Sequence, residues 1–374
     1  MVRNGPAAAA EKARTRGASV THVYRAALRG FAARVSAAEL ADLRADPEVL
    51  YVADDITVTQ AKQPAQQLPT GVDRVNADLS SSVSGDGSGA VDADVAIIDG
   101  GFDFTHPDVD LRPGTVCLGS AFGTKNNHGI GIAGVIGAHD DEFGVVGVAP
   151  GARMWAVEAF DSSGSGSLSS ILCSMEWVIA NAALLEVVNM SWHFAGTDDG
   201  NCGLTNNDPL HQAICRLVDA GVTPVAAAGN ESIDASTRTP AAYDEVITVS
   251  ALVDYDGQSG GLGANDRKVC SKSTFVGVPD DSFVFFSNYG DDVDLIAPGV
   301  CVLSTDVRGR YALYSGTSFA APHVAGAAAL YMATNPGVSP EQVRQTLVGA
   351  GTFDYESSGD PDGIQEPLLN AAGL

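Results

Sequence analysis

Four residues in this chain have the type and the setting to carry out an acyl transfer. Ser318 lies in Gly316-Thr317-Ser318-Phe319-Ala320-Ala321-Pro322-His323, at the head of an Ala/Gly-rich helical run that reaches Ala333. A serine at a helix start sits in the positive end of the dipole, among free backbone N–H groups, which suits a nucleophile whose attack creates an oxyanion. An ordinary serine N-cap carries the same local signature. His128 lies in Asn126-Asn127-His128-Gly129-Ile130-Gly131-Ile132-Ala133-Gly134, where asparagines and a small-residue helix let an imidazole project from a helix start. Asp99 ends the apolar run Val95–Ile98 and precedes Gly100-Gly101. A carboxylate at a buried strand end needs a partner, because an unpaired buried charge is costly. Singly, a core histidine or a turn aspartate explains His128 and Asp99 as well. Jointly the three read as nucleophile, base and orienting acid. Asn230, closing Val225-Ala226-Ala227-Ala228-Gly229-Asn230, adds a side-chain amide able to donate to an oxyanion.

The elements that must hold these groups are short continuous apolar runs: Val95–Ile98, Met154–Ala159, Glu186–Met190, Thr223–Ala228, Val246–Val249 and Val293–Ile296. Runs without alternation are strands buried on both faces, as in a parallel sheet. Helical stretches such as Leu168–Leu184 and Leu210–Ala220 lie between them. The fold class is α/β, a doubly wound, mostly parallel sheet with helices on both faces, whose functional groups gather at the carboxyl ends of the strands. Asp99, Ser191 and Asn230 end three of the runs. Residues 1–58 form a separate small α+β unit: a helix over Ala7–Arg16, a strand over Thr21–Leu28, a capping box Ser36-Ala37-Ala38-Glu39 opening a helix to Leu43, and a strand over Val49–Val52. The Pro/Gln-rich stretch Gln63–Pro69 reads as a linker, giving the domains 1–58, a linker over 59–71 and a main domain over 72–374.

The composition excludes other classes. The 374 residues include 46 acidic and 21 basic side chains, a net charge of −25, with a net +1 on residues 1–58 and −26 on the rest. A phosphate backbone needs a basic face, so nucleic acid is excluded as a partner, and anionic membranes are disfavoured. No run of about 18 apolar residues is present to span a bilayer. Asp291-Asp292 and Asp280-Asp281 read as solvated surface. The six cysteines, Cys117, Cys173, Cys202, Cys215, Cys270 and Cys301, include no CxxC pair, which points to disulfides in an oxidising compartment. Cys202 with Cys215 is the pairing favoured by the short polar loop between them. Met1–Ala10 has no apolar h-region, so no signal peptide is visible.

The order Asp99…His128…Ser318 and the blocks around it resemble the subtilisin-like serine peptidases over residues 72–374. The matching stretches are Val95–Asp99 with Gly101 and His106-Pro107-Asp108, His128-Gly129, Ala133-Gly134, Asn189-Met190-Ser191, Ala227–Asn230 and Ser315–Gly326. The resemblance implies a secreted serine endopeptidase acting on protein or peptide substrates, with Ser318 as nucleophile, His128 as base, Asp99 orienting it, and Asn230 with the Ser318 N–H as oxyanion hole. It places a substrate strand between Gly164, Ser165, Gly166 and Leu168 on one side and Ser191, Trp192 and His193 on the other. Ala227, Ala228 and Gly229 would floor the first specificity pocket. It implies structural calcium held by Asp108, Asp141 and the carbonyls of His139, Phe143 and Val145, no organic cofactor, and a monomer. Residues 1–58 resemble the family's inhibitory propeptide, a partner in cis, with its first strand and any signal peptide expected upstream of Met1 and cleavage between about Thr57 and Gln67.

Three departures from the family pattern stand out. Gly100 replaces a Ser or Thr that would support the carboxylate, Ile130 and Gly131 replace the Thr-His that follow the catalytic His-Gly, and Trp192-His193-Phe194 replaces Leu-Gly-Gly on the substrate edge. The bulk on that edge motivates a rival reading, a peptidase homologue that binds peptides without turnover. An esterase on an α/β-hydrolase sheet is set aside, because neither GxSxG nor the order Ser…Asp…His is present.

Overall fold

The structure, a computed structural model, describes residues 1–374 except 4, 57–64, 262, 264–274 and 276. The chain divides into two compact units, Met1–Lys62 and Gln63–Leu374.

In the first unit, α1 (Pro6–Thr15) leads into β1 (Ser19–Tyr24) and β2 (Gly30–Arg34), followed by α2 (Ala37–Ala45). β1 and β2 pair antiparallel. α2 opens on the expected capping box, with Ser36 and Glu39 each capping the other's backbone N–H. The strand expected over Val49–Val52 is reduced to one bridge, Val49 to Val2. Met1–Arg3 runs alongside it and is too short to build a ladder, leaving Leu50 and Tyr51 exposed.

The second unit opens with α3 (Thr70–Arg74), β3 (Asp94–Asp99), β4 (Asp110–Val116), α4 (His128–Gly137), β5 (Arg153–Glu158) and α5 (Leu168–Ala180). It continues through β6 (Val187–Met190), β7 (Phe194–Ala195), α6 (Pro209–Asp219), β8 (Thr223–Ala227), β9 (Arg238–Thr239) and β10 (Ile247–Val253). It closes with β11 (Ser282–Phe283), β12 (Leu295–Pro298), β13 (Val302–Asp306), β14 (Arg310–Tyr314), α7 (Thr317–Thr334) and α8 (Pro340–Ala350). The main sheet runs β11-β10-β8-β6-β3-β5-β4, with β12 beside β10, and all its pairs are parallel except β10–β11. Each of the six expected strands falls on a strand of this sheet. Successive residues of β3 explain why its run is continuous: Val95 and Ile97 enter one core with α4 and α7, while Ala96 and Ile98 enter the other with α5 and α6. β4, the β13–β14 hairpin and α8 were not read from the sequence, since their apolar residues are too few or too spaced to form a run.

Of the expected linker, Ala65 and Gln67 are built into the second unit through bridges to Phe143 and Val145. The expected cleavage region over 57–64 lies outside the described residues. Cys202–Cys215 is a disulfide, as expected, and Cys117–Cys173 joins the end of β4 to α5. Cys301 is also disulfide-bonded, while Cys270 lies outside the described residues.

The hairpin fixes the helix that carries His128. Ser304 Oγ donates to the Gly131 carbonyl and Thr305 Oγ1 to that of Ile130, both at 2.6 Å. Such approach requires that Gly134 have no side chain, because a Cβ there would overlap the Ser304 and Thr305 hydroxyls and come within 2.8 Å of the Thr305 nitrogen. Gly134→Ala is therefore expected to destabilise a Ser318→Ala chain by about 1–3 kcal/mol. Urea unfolding checks this; an unchanged midpoint would show that the hairpin yields freely.

Candidate active site

β3 delivers Asp99 to the carboxyl edge of the sheet, where the strand order reverses around β3 and β6. Asp99 is 3% exposed. His128, the first residue of α4, meets it: Nδ1 lies 2.9 Å from Oδ1 and 2.8 Å from Oδ2. Two carboxylate oxygens on Nδ1 fix the proton there and leave Nε2 free to act as a base. Burial alone would lower the imidazole pKa, but the charge and hydrogen bonding of Asp99 outweigh it and hold the pKa above the ordinary 6.5. Asn126 Oδ1 accepts the His128 backbone N–H at 3.0 Å, and the Phe319 ring meets the imidazole edge-on at 5.3 Å.

Ser318 is the second residue of α7, so its backbone N–H is among the first-turn donors that a helix leaves without an internal partner. Its hydroxyl donates to the Ser191 carbonyl at 3.2 Å, and Ser191 Oγ returns a bond to the Ser318 carbonyl at 2.8 Å. Asn189, buried at the end of β6, donates to Ser191 Oγ at 2.9 Å. Asn230 Oδ1 accepts the Thr317 N–H at 2.8 Å and the Thr317 hydroxyl at 3.1 Å. Those bonds turn the Asn230 amide so that its NH2 group is left for the cleft.

A cavity of about 500 Å³ gathers Asp99, His128, Ser318 and Asn230 with Lys125, Asn126, Asn127, Phe160, Ser162, Ser163, Gly164, Ser191, Trp192 and His193. Of the expected substrate edges, Gly164, Ser191, Trp192 and His193 line it. Ala227, Ala228 and Gly229 are buried, and Ser165, Gly166 and Leu168 continue the chain beyond Gly164 outside the lining. Sequence reasoning missed Thr317, Phe160 and Lys125 as parts of this region. Thr317 alone had a signal, as the neighbour of the serine.

Each departure from the family pattern has a local physical reason. Gly100 brings no hydroxyl to Asp99, but its backbone N–H, which any residue other than proline would supply here, donates to Asp99 Oδ1 at 2.7 Å. A side chain at 100 would place Cβ 2.8 Å from the Phe160 carbonyl oxygen. Gly131 lies under the stacked Tyr314 and Phe319 rings, where a Cβ would come within 2.9 Å of Tyr314. Trp192 turns into the core, 9% exposed, with Nε1 donating to the Ile98 carbonyl at 3.0 Å. His193 Nε2 lies 3.0 Å from Glu231 Oε1, and Phe194 joins the short β7–β9 pair.

A nucleophile-bearing helix start, an imidazole held by a buried carboxylate and a fixed amide donor, all on a parallel sheet edge, define a serine hydrolase. The comparisons narrow this class. Residues 91–362 match the Subtilase family and residues 5–61 the Peptidase inhibitor I9 family. Subtilisin NAT of Bacillus subtilis subsp. natto is 35% identical over 318 residues, 83% of this chain and 72% of that one. An alkaline protease of Shouchella clausii is 36% identical over 312 residues, 83% of this chain and 70% of that one. The solved structure of a cold-adapted subtilisin-like serine proteinase superimposes with a TM-score of 0.62 at 27% identity, covering 81% of this chain and 97% of that one. The chain belongs to the subtilase family of serine endopeptidases, with an I9-type propeptide domain at its N-terminus.

Among the residues expected to hold calcium, Asp108 is the most deeply buried. Asp108 is fully buried; Oδ2 accepts the Val145 N–H at 3.0 Å, while Oδ1 has no hydrogen-bond partner. Burial pushes its carboxyl up to about 7, against the Val145 N–H and the Tyr311 hydroxyl and with added repulsion from Asp141. An orphaned buried carboxylate oxygen beside an acidic loop fits a hard cation. Asp140 is instead satisfied by the N–H groups of Gly85 and Gly87 and by Gln66 Nε2. The expectation that Asp280-Asp281 are solvated is overturned, because they are only 4% and 1% exposed.

Gly100→Ser, which restores the family's hydroxyl, is expected to lower stability by about 1–3 kcal/mol through its clash with Phe160. Thermal unfolding of the Ser318→Ala form checks this; a stabilised variant would show that the Phe160 backbone moves aside.

Proposed function

We propose that this chain is the precursor of an extracellular serine endopeptidase that hydrolyses peptide bonds through an acyl-enzyme at Ser318. The paired Asp99–His128 contact beside Ser318 carries the reading. As a peptide carbonyl enters, the Ser318 hydroxyl turns from the Ser191 carbonyl toward His128 Nε2. Oγ attacks the carbonyl carbon while His128 takes the Oγ proton, and the carbonyl π electrons move onto oxygen. Asn230 Nδ2 and the Ser318 N–H stabilise that oxyanion. Collapse of the intermediate breaks the C–N bond, and His128 gives its proton to the leaving amine. Water then repeats the sequence on the ester, releasing the acid and restoring Ser318.

The substrate is an extended protein segment held between Gly164 and Ser191–His193, where main-chain hydrogen bonds carry affinity with broad side-chain tolerance. The I9-type unit serves as an intramolecular inhibitor until cleaved from the rest. Asp108 and Asp141, with the carbonyls of His139, Phe143 and Val145, would hold a calcium ion whose role is to stabilise that loop. The rival reading, peptide binding without turnover, draws on the bulk of Trp192-His193-Phe194 and on the Ser318 hydroxyl bonding away from His128.

Intact-mass measurement after exposure to a fluorophosphonate separates the two. One adduct, abolished by Ser318→Ala, is expected on the chain freed of residues up to about 57–67. A folded, processed chain that refuses the label would establish the binding reading. Because His128 must be neutral to accept a proton and Asp99 raises its pKa, kcat/KM is expected to rise with pH through a midpoint above 6.5. Asp99→Asn should shift that midpoint down and cut kcat on the order of 10⁴-fold; an unmoved acid limb would show that another group controls it. Asn230→Ala should lower kcat by about 10²–10³-fold, the size established for this donor in subtilisin and adopted from there. A larger change in KM than in kcat would show that Asn230 only binds substrate.

A further inference from the structure

Asp254 follows β10 and is 2% exposed. Its Oδ1 accepts the Gly257 N–H at 2.9 Å, whereas its Oδ2 is buried without any hydrogen-bond partner. One carboxylate oxygen from each of Asp254, Asp256 and Asp280 lies within 4.8 Å of the other two. Asp280 is held in place by the N–H groups of Tyr255 and Gly263, at 2.8 and 2.7 Å. Asp73, from α3, brings a fourth carboxylate to this side, where it accepts from Gln258 Nε2 at 3.2 Å.

The neighbouring Asp281 shows what a satisfied carboxylate in this region looks like. It takes the Arg74 guanidinium at 2.6 Å and the N–H groups of Gly260 and Gly261 at 2.7 and 3.0 Å. Arg74 also bonds the Asp354 carbonyl, so its charge is already engaged. No cation is left for Asp254, Asp256 and Asp280 among the described residues. A buried carboxylate oxygen left without a donor, facing two further carboxylates, is costly unless a cation lies among them.

We propose that Asp254, Asp256 and Asp280 form a divalent-cation site whose occupant is calcium, separate from the Asp108 loop. The donors are all hard oxygens, without the nitrogen or sulfur that zinc or copper would select. Their spacing follows carboxylates already tethered to backbone N–H groups. Calcium accepts an irregular shell of about 6–8 oxygens completed by water, whereas magnesium demands near-octahedral geometry. The site would tie β10 and the segment before β11 to one ion, in a part of the unit remote in sequence from Ser318.

The test uses the full-length Ser318→Ala chain, so that self-digestion does not intervene. After EDTA treatment and dialysis against calcium chloride, bound calcium per chain is counted by atomic emission, and thermal unfolding is followed by circular dichroism. Asp254→Asn is expected to bind one ion fewer than its parent and to unfold in EDTA no earlier than the parent. It should also lose part of the calcium-induced rise in the midpoint, on the order of 5 °C at one hundred times the dissociation constant. Asp108→Asn is the independent control and should retain the ion at Asp254. Equal calcium counts for Asp254→Asn and its parent would overturn the proposal, as would an equal rise with magnesium chloride at the same concentration. If Asp254→Asn does not fold, Asp256→Asn, altered at a partly exposed side chain, is judged by the same counts.

Discussion

The hydrogen bond from the Thr317 N–H to Asn230 Oδ1 is the constraint on which the rest of the site depends. It joins the end of β8 to the start of α7, and with the reciprocal Ser191–Ser318 bonds it locks one helix to two neighbouring strand ends. With the Thr317 hydroxyl, which the same Oδ1 accepts, it decides which end of the Asn230 amide looks into the cleft, because the two ends have nearly the same shape. The remaining geometry follows. α7 can come this close because its buried residues are rich in alanine, with Gly326 among them, and α4 is set at its distance by the hydroxyls of Ser304 and Thr305.

What the sequence showed and what it hid follow from the range of the forces involved. Strands β3, β5, β6, β8, β10 and β12 were legible because a strand buried on both faces must be apolar at every residue. Helix starts at His128 and Ser318 were legible because each heads a local run of small helical residues, although neither carries a side-chain cap. The β13–β14 hairpin was not, since its place is set by hydroxyls that reach another element, and Ser304 and Thr305 look like any polar strand residues. The Asp280-Asp281 pair failed for a related reason. Two adjacent aspartates read as surface until Arg74, more than two hundred positions away in the chain, is seen against Asp281.

The departures from the family pattern show substitutions answering one another. Gly100 offers Asp99 only its backbone N–H, and the space a side chain would fill there is taken by Phe160. The side chain absent at Gly131 gives room to the Tyr314–Phe319 stack, which in turn rests on His128. Trp192 adds bulk to the substrate edge but spends it in the core, with its indole N–H anchored to the last carbonyl before Asp99. Of the three bulky residues, Trp192 and His193 both line the cleft, and His193 is paired there with Glu231. A motif comparison registers these as losses; atomic contacts show them to be exchanges.

Helix α7 is buried along nearly all of its eighteen residues, so Ser318 rides on an element with no solvent face of its own. Such a helix cannot peel away while the sheet survives, and its contacts reach across the whole second unit. Loss of the serine's position and exposure of cleavable backbone therefore belong to one cooperative event, not to a sequence of local frayings. For such a chain, resistance to cleavage becomes a matter of kinetics: the lifetime of the intact fold is the reciprocal of the rate at which that central helix is let go.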